Sequence, residues 1–505
     1  MERKTLKNIS DQLVLVAILL ISGIQSFAHE SIGLLAENTF KAGASVSNIT
    51  PFLGGGIVGN FGDPPPAKYI HDPLQARSLV LDDGTTKLVF VVCDNIGLSS
   101  GVCDEAKRQI NQRTNIPTQH ILISSTHTHS ATSAEGEGVK RRGWNMDQPL
   151  DEYQAFIARR IADGVEMAIH NLVPAQIGWG SVNIPEHVFN RRWRMKDSVI
   201  NPFGQYDRIK MNPGIGNPDV VEPAGPIDPQ LSFLSIKSME GHGIALLANY
   251  SLHYIGGVPK HDISADYFAL FAAGIADLLQ STSQDTPFIG IMTNGTSGDI
   301  NNVDVKGSKP TDAPYAKMRY VANDLAQKVF QAHQHITFKP WIKLQAKQFD
   351  LLLQVRKPDN QQLDWAKRIL AAAKDSKPIN HPLERTYAER IVQLSKEWPD
   401  QISVLLQTFR IGDVQIAAIP FETFAQTGLE IKAIAGAAET FTISFANGSY
   451  GYLPTPDQHD LGGYETWLGT NRVEKNASTK IVSAIEALFT SMQQQANKPL
   501  NNNSK

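Results

Sequence analysis

Residues 121–130 read ILISSTHTHS, and the rest of the chain can be ordered around this stretch. Ile121, Leu122 and Ile123 have strand-forming composition and run directly into Ser124, Ser125, Thr126, His127, Thr128 and His129. Two histidines at i and i+2 on extended backbone point the same way, because strand side chains alternate faces. Neutral imidazole is a common zinc ligand. A His-x-His at a strand's end can present one metal ligand and one imidazole for proton transfer. The same stretch also suits two structural histidines at a strand terminus.

Outward from this strand, hydrophobic periodicity sets out an α/β chain. Ala42–Gly62 is glycine-rich and ends in Asp63-Pro64-Pro65-Pro66, which predicts irregular backbone. Ala76–Leu81 and Lys87–Cys93 flank Asp82-Asp83-Gly84-Thr85 and predict a hairpin. Helices are expected at Val102–Gln112, Glu152–Asn171, Asp266–Leu279 and Tyr315–His333. Gln176–Ile184, Leu231–Lys237, Ile244–Tyr250 and Phe288–Thr293 read as strands. Residues 200–229, rich in Pro, Gly and Asn, read as a long loop. Further on, the pattern gives a strand at Trp341–Leu353 and helices near Gln361–Lys374 and Leu383–Ser395. A hairpin at Ser403–Ile411 and Val414–Ile419 comes next, then Pro420-Phe421-Glu422 opening a helix. A strand at Phe441–Phe445 and a last helix at Thr479–Gln494 complete the pattern. His127, His253, Asn294, Glu422 and Tyr452 each lie just past an apolar strand, where α/β proteins gather functional groups.

With no internal repeat and no Ser-, Pro- or Gly-rich linker, the 505 residues are expected to form one large mixed α/β domain. Mixed sheets would pack together under covering helices across residues 40–495, with a frayed polar tail at 496–505. A formal charge of -3 offers no electrostatic footprint for nucleic acid or an anionic membrane. Arg3, Lys4 and Lys7 precede an apolar run, Leu13–Ile24, and Ser26-Phe27-Ala28 supplies small residues for cleavage. Residues 1–28 are therefore expected to be a signal peptide, cleaved near Ala28, that exports the chain to the periplasm or the exterior. About a dozen apolar residues are too few to span a bilayer. Cys93 and Cys103 are read as two buried thiols, although export would permit a disulfide.

At Ser125–Ser130, Asn190-Arg191, Asn249–His253 and Pro420-Phe421-Glu422 the chain resembles the neutral/alkaline non-lysosomal ceramidase family, and does so over nearly all of its length after the expected leader. Ser125–Ser130 matches that family's Thr-His-Thr-His-Ser motif, and Ala42-Gly43 through Asn48-Ile49-Thr50-Pro51 looks like its opening segment. Asn190-Arg191, Asn249–His253, Ile263–Tyr267, Pro420-Phe421-Glu422 and the Tyr452…Tyr464 pair are similar as well. The resemblance implies the family's N-terminal catalytic domain, with zinc held by His127, His253, Glu422 and Tyr452. It also implies His129, Arg191 and Tyr464 as active-site groups that do not bind the metal. The resemblance further leads to the expectation that the sequence stops near the end of that domain, without the further β-sandwich domain of many members. One departure stands out. The family's Gly-Asp-Val-Ser-Pro-Asn is matched here by Gly298, Asp299, Ile300, Asn301, Asn302 and Val303, which places a carboxamide where the serine stands.

The expected activity is zinc-dependent hydrolysis of ceramide or a related lipid amide, with attack by zinc-bound hydroxide. His129, or Tyr464, would pass a proton to the leaving amine. Arg191 and Asn301 would hold the oxyanion or orient the substrate, with Arg192 and Arg194 as rivals for the arginine role. Transient membrane contact is expected of such a substrate, and the oligomeric state stays open. A zinc hydrolase acting on another amide or an ester, and a non-catalytic binding protein on the same fold, remain as alternatives. Asp94, Asp266, Asn294 and Asp299 are read equally as pocket lining or as turn and cap residues.

Overall fold

The computed structural model describes residues 39–135, 148–279, 286–308, 313–374, 376–437 and 439–496. The expected leader at 1–28 lies outside them, as does the polar tail beyond Ala496. Two sheets carry the fold. The larger contains β1 (Lys41–Asn48), β2 (Gln75–Asp82), β3 (Lys87–Cys93), β4 (Ile121–Ser125), β5 (Val173–Asn183), β6 (Gln230–Ser238), β7 (Gly243–Tyr250) and β8 (Ile289–Asn294). Its spatial order is β8-β7-β6-β5-β1-β2-β3-β4. The smaller runs β9 (Leu344–Gln354), β10 (Gln401–Ile411), β11 (Val414–Ala418) and β12 (Glu439–Ile443) in that order.

The sheets pack face to face through alternate side chains. Leu79, Leu81, Phe90, Val92 and Leu122 meet Phe409, Ile411, Ile416 and Phe441, with the Phe90 and Phe409 rings 5.1 Å apart. The intervening residues Val80, Val89, Val91 and Ile123 face the other way, against helices Ser100–Thr114 and Glu152–His170. Both faces are thus covered, which is why these strands read as unbroken apolar runs. Asp266–Leu279 and Ala316–His333 cover the far half of the large sheet. Four helices, Asn360–Ala371, Glu384–Lys396, Ala425–Ala435 and Ala477–Ala496, cover the small one. The result is a helix–sheet–sheet–helix stack, the mixed α/β architecture expected.

Three parallel pairs direct chain ends toward one place. β3 and β4, β7 and β8, and β11 and β12 are each parallel, joined by helices Ser100–Thr114, Asp266–Leu279 and Ala425–Ala435. β4 and β8 are opposite edges of the large sheet, yet their C-terminal ends meet. Asn294 Nδ2 donates to Thr126 O at 2.9 Å. The segment after β12 joins both edges, Ser444 N donating to Asn294 O (3.0 Å) and Asn447 N to Ile123 O (2.7 Å).

Two expectations need correction. Ala42–Gly62 is not wholly irregular, because Lys41–Asn48 is an interior strand of the large sheet. Its small residues reflect a close approach by the helix over it, since a Cβ on Gly43 would stand 2.2 Å from Ala168 O. Residues 200–229 are not one loop either. Tyr206–Met211 and Val220–Pro223 pair with Arg192–Ile200 in a three-stranded sheet whose outward polar side chains disguised it. Cys93 and Cys103 are both buried free thiols, as read from the sequence.

Candidate active site

The two histidines of the opening stretch converge, but strand alternation is not the reason. β4 ends at Ser125, and His127 has φ +69, the left-handed region that few non-glycine residues enter. This turn aims the ring. His127 Nδ1 lies 2.5 Å from Ile96 O, which leaves Nε2 facing inward. His253, three residues past β7, places Nδ1 3.1 Å from Ser297 O, and its Nε2 is buried without a hydrogen-bond partner. His129 Nε2 stands 3.0 Å from His127 Nε2, and its ring stacks on Tyr254 with centroids 3.8 Å apart. The three histidines offer ligand atoms that all lie within 4.8 Å of one another.

Glu422 and Tyr452 come from the smaller sheet's side. They are direct partners in a short parallel ladder, Glu422–Thr423 beside Tyr452–Leu453, and the helix beyond it begins only at Ala425. Glu422 Oε2 is 3.6 Å from His127 Nε2 and accepts no hydrogen bond. Arg191 Nη2 donates to Tyr452 Oη at 2.9 Å. The Tyr464 ring meets Tyr452 edge-on at 5.7 Å. Of the expected site residues, seven therefore gather here: His127, His129, His253, Glu422, Tyr452, Arg191 and Tyr464. Asn301 stands apart. It does not line the cavity, and its Nδ2 donates at 2.6 Å to the carboxamide of Asn212, which does.

Burial sets the electrostatics. It pushes His127 down to about 3 and His253 well below the ordinary imidazole range, so both rings are neutral. It pushes Glu422 up to about 7, against the opposing pull of Tyr452 and Arg191. Neutral imidazoles held from behind by carbonyl oxygens, with inward Nε2 atoms and an unpaired carboxylate oxygen beside them, form a donor set that fits a divalent cation. The cluster opens into a cavity of about 190 Å³ bordered by Gly59, Phe61, Glu135, Arg390 and Arg472 besides His127, His129, Arg191, Glu422, Tyr452 and Tyr464. Gly59 comes so close that a Cβ there would fall 2.7 Å from the His129 ring.

The sequence reading missed Glu465. This fully buried carboxylate accepts from Arg191 Nε at 2.9 Å and binds Arg192 Nη1 at 2.5 Å. The adjacent Arg191-Arg192 pair was the available signal, since two buried guanidiniums require an anion. Arg192 is spent structurally, on Glu465 and on Gln458 Oε1 at 3.0 Å. Arg194, the other rival, pairs at 3.3 Å with the exposed Glu222. The four acid and amide residues left open are structural ties. Asp94 binds Arg77 at 2.8 Å, and Asp266 accepts backbone N–H groups of Ile255, Gly256 and Tyr267. Asp299 joins Asn190 Nδ2 to Ala425 N, each at 2.8 Å, and Asn294 joins the sheet edges.

No family model matches this chain. Among solved structures, the neutral ceramidase of Pseudomonas aeruginosa is similar over 93% of this chain and 76% of its own, with a TM-score of 0.66 at 15% identity. A ceramidase complexed with C2 is similar over 93% and 77%, with a TM-score of 0.66 at 14% identity. The fold of this chain is that of neutral ceramidase.

Proposed function

We propose that the chain is an exported zinc-dependent amidohydrolase that cleaves the N-acyl bond of ceramide or a related lipid amide. The observation that carries this reading is the convergence of His127, His129 and His253 within 4.8 Å, with the unpaired Glu422 Oε2 3.6 Å from His127 Nε2. His127, His253, Glu422 and Tyr452 would hold the zinc. When bound, zinc lowers the pKa of water to about 7 and polarises a carbonyl.

This chain's own groups account for the remainder. Hydrolysis adds water's oxygen to the acyl carbon, breaks the C–N bond and delivers one proton to the amine nitrogen. His129 carries that proton at Nε2, held in place by Tyr254 behind its ring. Arg191 keeps its guanidinium directed at the reacting carbonyl because Glu465 grips its Nε. Tyr464 forms the wall that orients the substrate, and Asn301 acts at one remove by fixing Asn212. The absence of a serine at position 301 favours a substrate range wider than ceramide itself.

A lipid substrate is supported by the loop at the cavity mouth. Phe52, Leu53 and Phe61 are 91%, 53% and 57% exposed, and Gly59 to Phe61 border the opening. Exposed large apolar groups beside a cleft suit transient contact with a lipid aggregate. No helix among the described residues is long and apolar enough to cross a membrane.

The test is metal content together with hydrolysis of a ceramide and of short N-acyl amines. One zinc per chain and amide cleavage, both lost in His127→Ala, are expected. A metal-free protein that cleaves amides, or a zinc protein inert to all of them, overturns the reading.

A further inference from the structure

Two guanidiniums in the cavity have no part in the chemistry above. Arg390 comes from the helix Glu384–Lys396, and Arg472 from the segment before the last helix. Arg390 Nη1 donates to Thr470 Oγ1 at 2.9 Å, while its Nε is buried without a partner. The Arg390 guanidinium lies over the Tyr387 ring at 4.7 Å and that of Arg472 over the Trp398 ring at 5.2 Å. Arg472 Nη1 reaches only a backbone oxygen, Tyr450 O, at 3.3 Å.

Their neighbours make the contrast. Arg191 and Arg192 share Glu465, at 2.9 and 2.5 Å. Among the described residues, no carboxylate lies within 4.0 Å of Arg390 or Arg472. Burial and then the charge of Arg390 lower Arg472 to about 10, whereas at Arg390 burial is outweighed by Tyr387 and Tyr464, which raise it. Glu135 and Glu422 act on Arg472 only from a greater distance. Two half-buried like charges with no carboxylate beside them among the described residues favour an anion arriving from outside. Flat aromatic rings hold both guanidiniums in fixed planes, and such forks match the paired oxygens of an oxyacid.

We propose that Arg390 and Arg472 form an anion subsite, and that the amide cleaved here carries an oxyacid group, as an N-acyl amino acid does. Tyr464 lines the same cavity, acts electrostatically on Arg390 and packs against Tyr452 of the reacting site. The anion therefore shares one cavity with the scissile amide. Carboxylate, sulfonate and phosphate share the required chemistry. This inference rests on the cavity being a substrate site, but it is testable without turnover.

The experiment compares N-lauroylglycine, N-lauroyltaurine and N-lauroylethanolamine phosphate with neutral N-lauroylethanolamine, by calorimetric binding and by kcat/KM. At least one anionic ligand is expected to bind tenfold or more tightly than the neutral one, and the ligand that does so identifies the acid. Arg390→Gln is expected to shrink the charged-to-neutral ratio at least tenfold. Equal affinity of the wild-type protein for charged and neutral ligands overturns the proposal, and so does a ratio unchanged in Arg390→Gln. Tight anion binding without amide cleavage would uphold the subsite while rejecting the hydrolase reading.

Discussion

The Glu465 carboxylate lies 2.9 Å from Arg191 Nε, and Nη2 of the same guanidinium lies 2.9 Å from Tyr452 Oη. One buried acid thus fixes the direction of a group in the cavity from behind. Glu465→Gln keeps the shape but leaves Arg191 and Arg192 without an anion. Removing one partner of a buried ion pair costs roughly 3–5 kcal/mol, so the thermal midpoint should fall by several degrees. Turnover should fall as well, because Arg191 is then free to rotate. A variant with wild-type melting and wild-type kcat would show that Glu465 neither supports the fold nor positions Arg191.

The histidines should separate by role. His127→Ala and His253→Ala each remove an inward Nε2 and are expected to lose bound zinc and all amide cleavage. His129→Gln is expected to keep the metal while kcat falls about 10²–10⁴-fold, the usual contribution of a positioned proton carrier. Elemental analysis and kcat on the same preparations decide this. Loss of zinc from His129→Gln would make His129 a ligand, a role its membership of the three-histidine group allows.

How legible each segment is in the sequence depends on what it packs against. Asp266–Leu279 is legible to the residue, because one apolar face on the large sheet imposes a helical period. The hairpin of Ala76–Leu81 and Lys87–Cys93 is clear from its Asp-Asp-Gly-Thr turn. Lys41–Asn48 escapes such a reading because its small side chains answer to a helix far along the chain, which local composition does not register. At the site, His127, His253, Glu422 and Tyr452 can be named, but the meeting of the two sheet edges through Asn294 and Thr126 is a long-range event. Glu465 goes unnoticed because its importance lies in what it touches. Register in a familiar motif puts Asn301 at the site, whereas the tertiary structure gives the cavity its partner Asn212 instead.

The apolar loop at the mouth predicts a difference between soluble and aggregated substrates. Phe52 and Leu53 precede, and Phe61 follows, Gly59, which approaches the His129 ring. Changing Phe52 and Leu53 together to serine removes exposed apolar surface and disturbs little packing, since both are more than half exposed. Activity on a ceramide in mixed micelles is expected to fall at least fivefold through a higher apparent KM. Cleavage of a short soluble N-acyl amine should stay within twofold. Equal losses on both substrates would mean that the loop shapes the cavity and does not gather lipid.

Lys107 gives a pH signature of stability far from the chemistry. It projects from helix Ser100–Thr114, is 3% exposed, and its ammonium has no hydrogen-bond partner. Burial lowers it from 10.5 to about 8, against the opposing pull of Cys103, Asp104 and Asp350. Below about 8 both folded and unfolded chains carry the proton, and the burial penalty is complete. Between about 8 and 10.5 the unfolded chain holds the proton and the folded chain has lost it, so stability rises with pH. At about 1.4 kcal/mol per pKa unit the penalty at neutral pH is roughly 3 kcal/mol. Lys107→Met should therefore raise the melting midpoint at pH 7, with the advantage over wild type shrinking as pH approaches 10. Midpoints of the two proteins from pH 6 to 10 measure this, and a variant less stable than wild type at pH 7 would mean that the ammonium is stabilised where it lies.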